Sequence, residues 1–306
     1  MKRYAPAYYP RFACIADRCR HSCCIGWEID VDEETLQLYD SLEGGYGEVI
    51  AASIEGREDC PHFRLGAGER CPHLDERGLC RIILTLGEDY LCDICREHPR
   101  FFYHVTPHGR EVGLGMACEE ACRLILTSDD GAQFVFVGED AEDAPVWDGY
   151  DATADRAQVY ALLADGTLSY DEQRQEIAAR YGVAPTALSD EQSRALLTSL
   201  EYMDERNRER FAAAYRADGA PPTALEHPLR RALIYFVFRH TSAAEDREEF
   251  TAALGMCLFL ERLLCSLAAD ESATELPALI EVARTLSEEL EYSEDNTEVI
   301  RRMFEK

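Results

Sequence analysis

The chain has 306 residues, 46% of them hydrophobic and 29% charged, enough to bury a large core and more typical of two domains than of one. That apolar content offsets the entropy of ordering the backbone, which excludes a wholly disordered chain. The net charge of −28, from 59 acidic and 31 basic side chains, repels phosphate backbones and excludes DNA or RNA as a partner. It would attract a cationic substrate such as a lysine side chain, although acidic surfaces also serve plain solubility.

Taken in chain order, residues 1–12 carry three basic side chains but neither an apolar run nor a small-residue cleavage pattern. They make a poor secretory signal, and a cytoplasmic protein is expected. Residues 1–125 consist of short apolar pieces separated by Gly, Pro and Cys, with weak periodicity. Asp32 to Tyr39 predicts a short helix with Asp32 as its N-cap, and Arg81 to Cys92 predicts another, ended before Pro99. Metal ligation is expected to supply much of the order here.

Residues 126–154 form a connector, with a short strand predicted over Gln133 to Val137 after the turn Asp129-Asp130-Gly131, and an acidic, turn-rich stretch from Gly138 to Ala144. From Asp155 the pattern is helical. Val159, Leu162 and Leu163 share a face, and Ile177 and Tyr181 continue it. Further helices are predicted over Ser193 to Tyr215, Leu229 to His240, Glu248 to Ala268 and Leu276 to Ser293. The most apolar stretch, Ala252 to Leu267, is interrupted by Glu261 and Arg262, so it predicts a buried helix and no transmembrane segment. The expected fold is mainly α: an irregular cysteine-rich metal-binding domain (1–125) packed on an all-α helical domain (155–306).

Thirteen cysteines are present. In a reducing cytosol such a count favours metal binding or catalysis over disulfides. Eleven lie in the first 122 residues; Cys257 and Cys265, on an apolar helical stretch, read as buried hydrophobes. The densest group is Cys14-x4-Cys19-x3-Cys23-Cys24. Adjacent cysteines point in different directions, so Cys23 and Cys24 need not bind the same atom. A second group comprises Cys71, Cys80, Cys92 and Cys95, followed by Cys118. These nine are the candidate metal ligands, whereas Cys60 and Cys122 leave ligation and plain burial equally open. Thiolate sulfur suits zinc and iron–sulfur clusters alike. Only one C-x2-C knuckle occurs, Cys92-x2-Cys95, and this irregular spread favours a cluster over a zinc ribbon. His21, His62, His73 and His98 lie close to cysteines, where an imidazole serves as a ligand, a proton carrier or a plain polar neighbour. Trp27 is expected to pack the core of the cysteine domain.

Phe12-x-Cys14-x4-Cys19-x3-Cys23-Cys24-x2-Trp27-x-Ile29-Asp30 resembles the opening of the flagellin lysine-N-methylase family, itself related to cysteine-rich proteins described as zinc or iron chelators. Arg70-Cys71-Pro72-His73-Leu74, Gly78-Leu79-Cys80, Leu86 to Cys92, Cys95-Arg96-x2-Pro99-Arg100 and Cys118-x-Glu120 follow in the family's order. Tyr235 to His240 and Leu290 to Asn296 extend the likeness into the helical half. The resemblance implies a cytoplasmic enzyme that methylates lysine ε-amines of flagellin, using S-adenosylmethionine and a [4Fe–4S] cluster; the cysteines themselves leave zinc as the alternative metal. A homo-oligomer is left open.

The sequence has no C-x3-C-x2-C run of the radical S-adenosylmethionine type and no G-x-G-x-G loop after a strand, so the cofactor pocket cannot be placed from it. In a polar route the ε-ammonium must lose a proton before attack, and Glu88, Asp89 and Tyr90, just before Cys92, are the candidate catalytic residues. The same three fit a helix end equally well. The alternative function is a non-catalytic iron- or zinc-binding or electron-transfer protein.

Overall fold

The computed structural model describes residues 1–141, 149–183, 188–216 and 222–305, with the backbone alone at 102–104. In chain order the elements are β1 (Lys2–Pro6), α1 (Glu33–Asp40), α2 (Gly45–Ala52), β2 (Ile54–Glu55), β3 (His62–Phe63), α3 (Arg81–Thr85), α4 (Asp93–Glu97), β4 (Arg100–Thr106), β5 (Gly109–Leu114), α5 (Glu119–Thr127) and β6 (Phe134–Glu139), and then α6 (Ala152–Leu163), α7 (Tyr170–Tyr181), α8 (Asp190–Ser199), α9 (Glu205–Ala214), α10 (Glu226–Thr241), α11 (Arg247–Asp270), α12 (Leu276–Leu286) and α13 (Glu294–Arg302). Helix dominates, as the periodicity predicts.

The chain divides into two compact units, Ala13–Phe101 and Met1–Phe12 together with Phe102–Lys306. This division differs from the boundary near residue 125 drawn from the sequence. The first twelve residues and the segment after Phe101 belong with the helices because β1 is an inner strand of a four-stranded sheet ordered β4-β5-β1-β6. It runs parallel to β5, with Tyr4 opposite Glu111, and antiparallel to β6, with Ala5 opposite Val135. The strand predicted at Gln133 to Val137 is β6, shifted by a residue or two. Residues 142–148, which include the end of the acidic stretch, lie outside the described residues.

In the unit 13–101 the Asp32 side chain caps α1 by accepting from the Thr35 amide at 2.8 Å, as predicted. Its core is small: Ile29, Val31, Tyr39, Ile50, Ile54, Phe63 and Ile82, with Cys71 and Cys92 among them. The single helix predicted over Arg81 to Cys92 is broken. α3 stops at Thr85, and Gly87 takes φ +107°, a conformation that side chains disfavour. A 3-10 turn over Glu88–Tyr90 follows, and α4 starts only after Cys92. Trp27 also departs from expectation. It is half-buried outside that core, its Nε1 donates to the Cys23 carbonyl at 2.6 Å, and its ring meets His98 edge-on at 5.4 Å.

The helical unit is built around α11, which is buried from Phe250 to Ala268 apart from the half-buried Thr251, and α10 packs along it. By length and composition α11 could cross a membrane, but 94% of its most apolar window is buried inside the protein, which is the signature of a core helix. Two of the long predicted helices are divided. Ser193 to Tyr215 becomes α8 and α9, with Leu200 extended and Asp204 capping the second; Leu276 to Ser293 becomes α12 followed by a π-helical turn over Ser287–Glu291. That turn carries Glu291 inward, where it meets His240 at 2.7 Å and Arg239 at 3.3 Å.

Candidate metal centre

Three separate stretches of the unit 13–101 bring cysteines toward one core. Cys24 and Cys71 lie on adjoining extended segments, joined by the Cys71 amide donating to the Cys24 carbonyl at 2.9 Å and by the bridge between Ile25 and Arg70. Cys80 is returned to Leu74 by a tight loop that Asp75 organises: its Oδ1 accepts from the amides of Arg77 and Leu79, both at 2.8 Å. Cys92 and Cys95 flank the first turn of α4, where the Cys92 carbonyl accepts from the amides of Cys95 and Arg96. Asp32 fastens that turn to α1, its second carboxylate oxygen accepting from the Asp93 amide at 2.8 Å.

The five sulfurs feel one another. Burial pushes the Cys71 thiol up to about 12, and the neighbouring Cys24, Cys80 and Cys92 add to it. Cys80 is raised by burial and by Cys24 and Cys92. Cys92 is lowered because Cys95 donates a hydrogen bond to it, and Cys95 is raised by that same bond and by burial. Cys24 is lowered to about 7, the bond from Cys23 outweighing burial, with help from Ser22 and the nearby Arg70. Each sulfur that loses its proton makes the next harder to ionise, and a bound cation reverses this balance. Soft thiolates of this number suit an iron–sulfur cluster or zinc. Among the described residues, however, no three of these sulfurs all lie within 4.8 Å of one another. A closed zinc site with Zn–S of about 2.3 Å holds its sulfurs roughly 3.8 Å apart, so this set is spread more widely than mononuclear zinc requires. The four ligands of a cubane cluster sit on the corners of a larger body, and a wider spread is compatible with such a group as well.

The other candidate ligands are held differently. The Cys14 sulfur is exposed and accepts from the Ala16 amide at 3.4 Å, and Cys19 gives its S–H to the His21 carbonyl at 2.9 Å. Cys23 is exposed and its thiol donates a hydrogen bond to the Cys24 sulfur. Cys118 stands at the N-cap position of α5 in the helical unit without a side-chain capping bond, and the buried Cys122 of that helix donates to the Ile280 carbonyl. Cys257 and Cys265 are buried in α11, Cys265 against Glu261. Glu88 and Asp89 are exposed on the 3-10 turn before Cys92, and the carbonyl of Tyr90 accepts from the buried Tyr39 hydroxyl at 2.6 Å.

His73 holds its place through both ring nitrogens, Nδ1 with the Tyr46 hydroxyl at 2.8 Å and Nε2 with that of Ser53 at 2.9 Å. Burial lowers it to about 4, so it stays neutral and braces the Cys71–Cys80 loop from behind. Burial lowers His98 to about 4 as well. The bracing roles of Asp32, Asp75, Tyr46 and Ser53 are not visible from spacing; only the D-x-x-G pattern before Leu79-Cys80 hints at a turn.

The flagellar biosynthetic protein FliU of Salmonella muenchen is 32% identical to this chain over 131 residues, which make up 41% of the chain and 77% of that protein. The chain belongs to the flagellin lysine-N-methylase family. Two further relatives, both named lysine-N-methylase, come from Salmonella typhimurium and Salmonella choleraesuis, at 34% and 33% identity over 131 residues. For each of these the match covers 41% of this chain but only 32% of the relative's length. No protein-family profile matches the chain, and no solved structure does.

Proposed function

We propose that this member of the family transfers methyl groups to lysine ε-amines of flagellin in the cytoplasm, with S-adenosylmethionine as donor and a [4Fe–4S] cluster held by thiolates drawn from the set Cys24, Cys71, Cys80, Cys92 and Cys95. The observation that carries the metal part is the convergence of these five sulfurs from three stretches of chain into mutual electrostatic reach; the relatives' names carry the lysine and the flagellin.

When bound, the cluster supplies an electron-transfer centre or a sulfur-ligated Lewis acid. The chain's own residues do the rest. Five sulfurs for four ligand positions leave one thiol as a neighbour that hydrogen-bonds to a ligand, as Cys95 does to Cys92. Arg70 offsets the accumulating negative charge at Cys24. The exposed carboxylates of Glu88 and Asp89 stand on the turn that ends at Cys92, where they attract an ε-ammonium and accept the proton it must lose before it attacks.

Anaerobically purified protein incubated with S-adenosylmethionine and flagellin tests the proposal. It predicts mass gains on flagellin lysines that disappear in Cys92→Ser. Unchanged flagellin with a fully loaded iron centre would refute the methyl transfer while leaving the metal assignment standing.

A further inference from the structure

A second group of ligand-type side chains lies on the surface of the same unit, apart from the five converging cysteines. The extended segments Glu28-Ile29-Asp30-Val31 and Cys60-Pro61-His62-Phe63 run antiparallel, with Asp30 bridged to His62. The Val31 amide donates to the Pro61 carbonyl at 2.7 Å and the Phe63 amide to the Ile29 carbonyl at 3.0 Å. Alternate residues of extended chain face opposite ways. Ile29, Val31 and Phe63 point into the core and are 3%, 3% and 1% exposed. Glu28, Asp30, Cys60 and His62 therefore share the outer face.

Three of the four side chains lie within reach of one point, and His62 stands beside Glu28 at its edge. One ligand atom each from Glu28, Asp30 and Cys60 all lie within 4.8 Å of one another. The Cys60 sulfur is 3.9 Å from Asp30 Oδ1, and His62 Nε2 is 3.8 Å from Glu28 Oε2. The first is a long S–H···O hydrogen bond, with the thiol donating, and the second is too long for a direct one. A tetrahedral zinc ion with bonds of about 2.0–2.3 Å separates its ligand atoms by roughly 3.5 Å, so small side-chain rotations would close either gap around one. The imidazole is already oriented for ligation, because Nδ1 donates to the Cys60 carbonyl at 2.8 Å, which fixes the tautomer and leaves Nε2 with its lone pair outward, the arrangement that orients metal-bound histidines. Gly56 makes room for it, since a Cβ there would fall 2.2 Å from the Cys60 carbonyl oxygen and 3.0 Å from the His62 ring. Asp30 pushes the Cys60 thiol up, with Glu28 contributing, so the face is short of positive charge.

We propose that Glu28, Asp30, Cys60 and His62 form a surface site for a divalent transition cation, with zinc the ion that matches one thiolate, one imidazole and two carboxylates. The site is independent of the buried cysteine set and of the methylase reading.

Equilibrium dialysis of the whole protein against zinc chloride, with zinc and iron counted in the same sample, tests it. The wild type should hold one zinc more than the Cys60→Ser/His62→Ala double variant at equal iron, and each single variant should bind that zinc at least about tenfold more weakly. Cys257→Ser, in the helical unit, should keep it. Glu28, Asp30 and Cys60 are exposed and His62 is partly so, and unchanged circular dichroism is expected in the variants of these four residues. Equal zinc in wild type and double variant at equal iron would overturn the assignment, as would loss of the zinc in Cys257→Ser with retention in the double variant.

Discussion

In the helical unit, two deeply buried carboxylates are met by buried arginines. Glu261 at the centre of α11 accepts from Tyr170 at 2.8 Å and Arg174 at 2.9 Å, and Glu111 pairs with Arg156 at 2.5 Å. In the unit 13–101, thiols that turn into like charges when they ionise gather around the core, beside the neutral His73 and its hydroxyl partners. The first arrangement is complete within the chain. Under the proposed function a cation from outside would offset the second, and would add order to a unit whose apolar core is small. On that reading the two parts of the chain reach order by different routes, packing in one and ligation in the other.

The largest effect expected from this contrast follows removal of the metal. Chelation under reducing conditions should abolish hydrogen-exchange protection across residues 13–101 while α10 and α11 keep theirs; simultaneous loss in both units would show that the packing of the helices also depends on the metal. Next in size is Glu261→Ala, which leaves the buried Arg174 with the exposed Asp171 as its remaining counter-ion and should cost about 3 kcal/mol in urea unfolding without lowering iron content. A smaller cost, about 1–3 kcal/mol, is expected for His73→Ala, which leaves Tyr46 and Ser53 without their buried partner. In this variant iron retention should weaken as well, because the Cys71–Cys80 loop loses its brace.

Acid should expose the same difference. His73 and His98 are held near 4 against an ordinary value near 6.5, so the unfolded chain binds more protons than the folded one between those values. Their contribution is therefore complete above pH 6.5 and is lost as the pH falls toward 4. Exchange protection in residues 13–101 should fall across that window, and His73→Phe should flatten the slope. The smallest effect belongs to Cys257→Ala, a modest packing loss in α11 that should leave iron untouched.

Local signals carried much of this fold. The Asp32 cap, the helical periodicity and the burial of Ala252 to Leu267 despite Glu261 and Arg262 are all written in neighbouring residues. What escaped depends on partners far along the chain. Residues 2–6 show no strand pattern, yet they become an inner strand by pairing with residues more than a hundred positions away. The break at Gly87 was a local signal, but the apolar residues on either side masked it. For the site, spacing identified thiolate chemistry and its region. It could not tell which cysteines converge, since that is decided by the Cys24–Cys71 pairing and by the Asp75 turn. The outer face of Glu28, Asp30, Cys60 and His62 escaped because its two halves meet only across a β-bridge.

The most direct measurement is iron and sulfide content per chain in anaerobic preparations of Cys24→Ser, Cys71→Ser and Cys92→Ser, set beside Cys257→Ser. The account predicts that the first three lose most of their iron and the fourth matches the wild type. Equal iron in all four would contradict it.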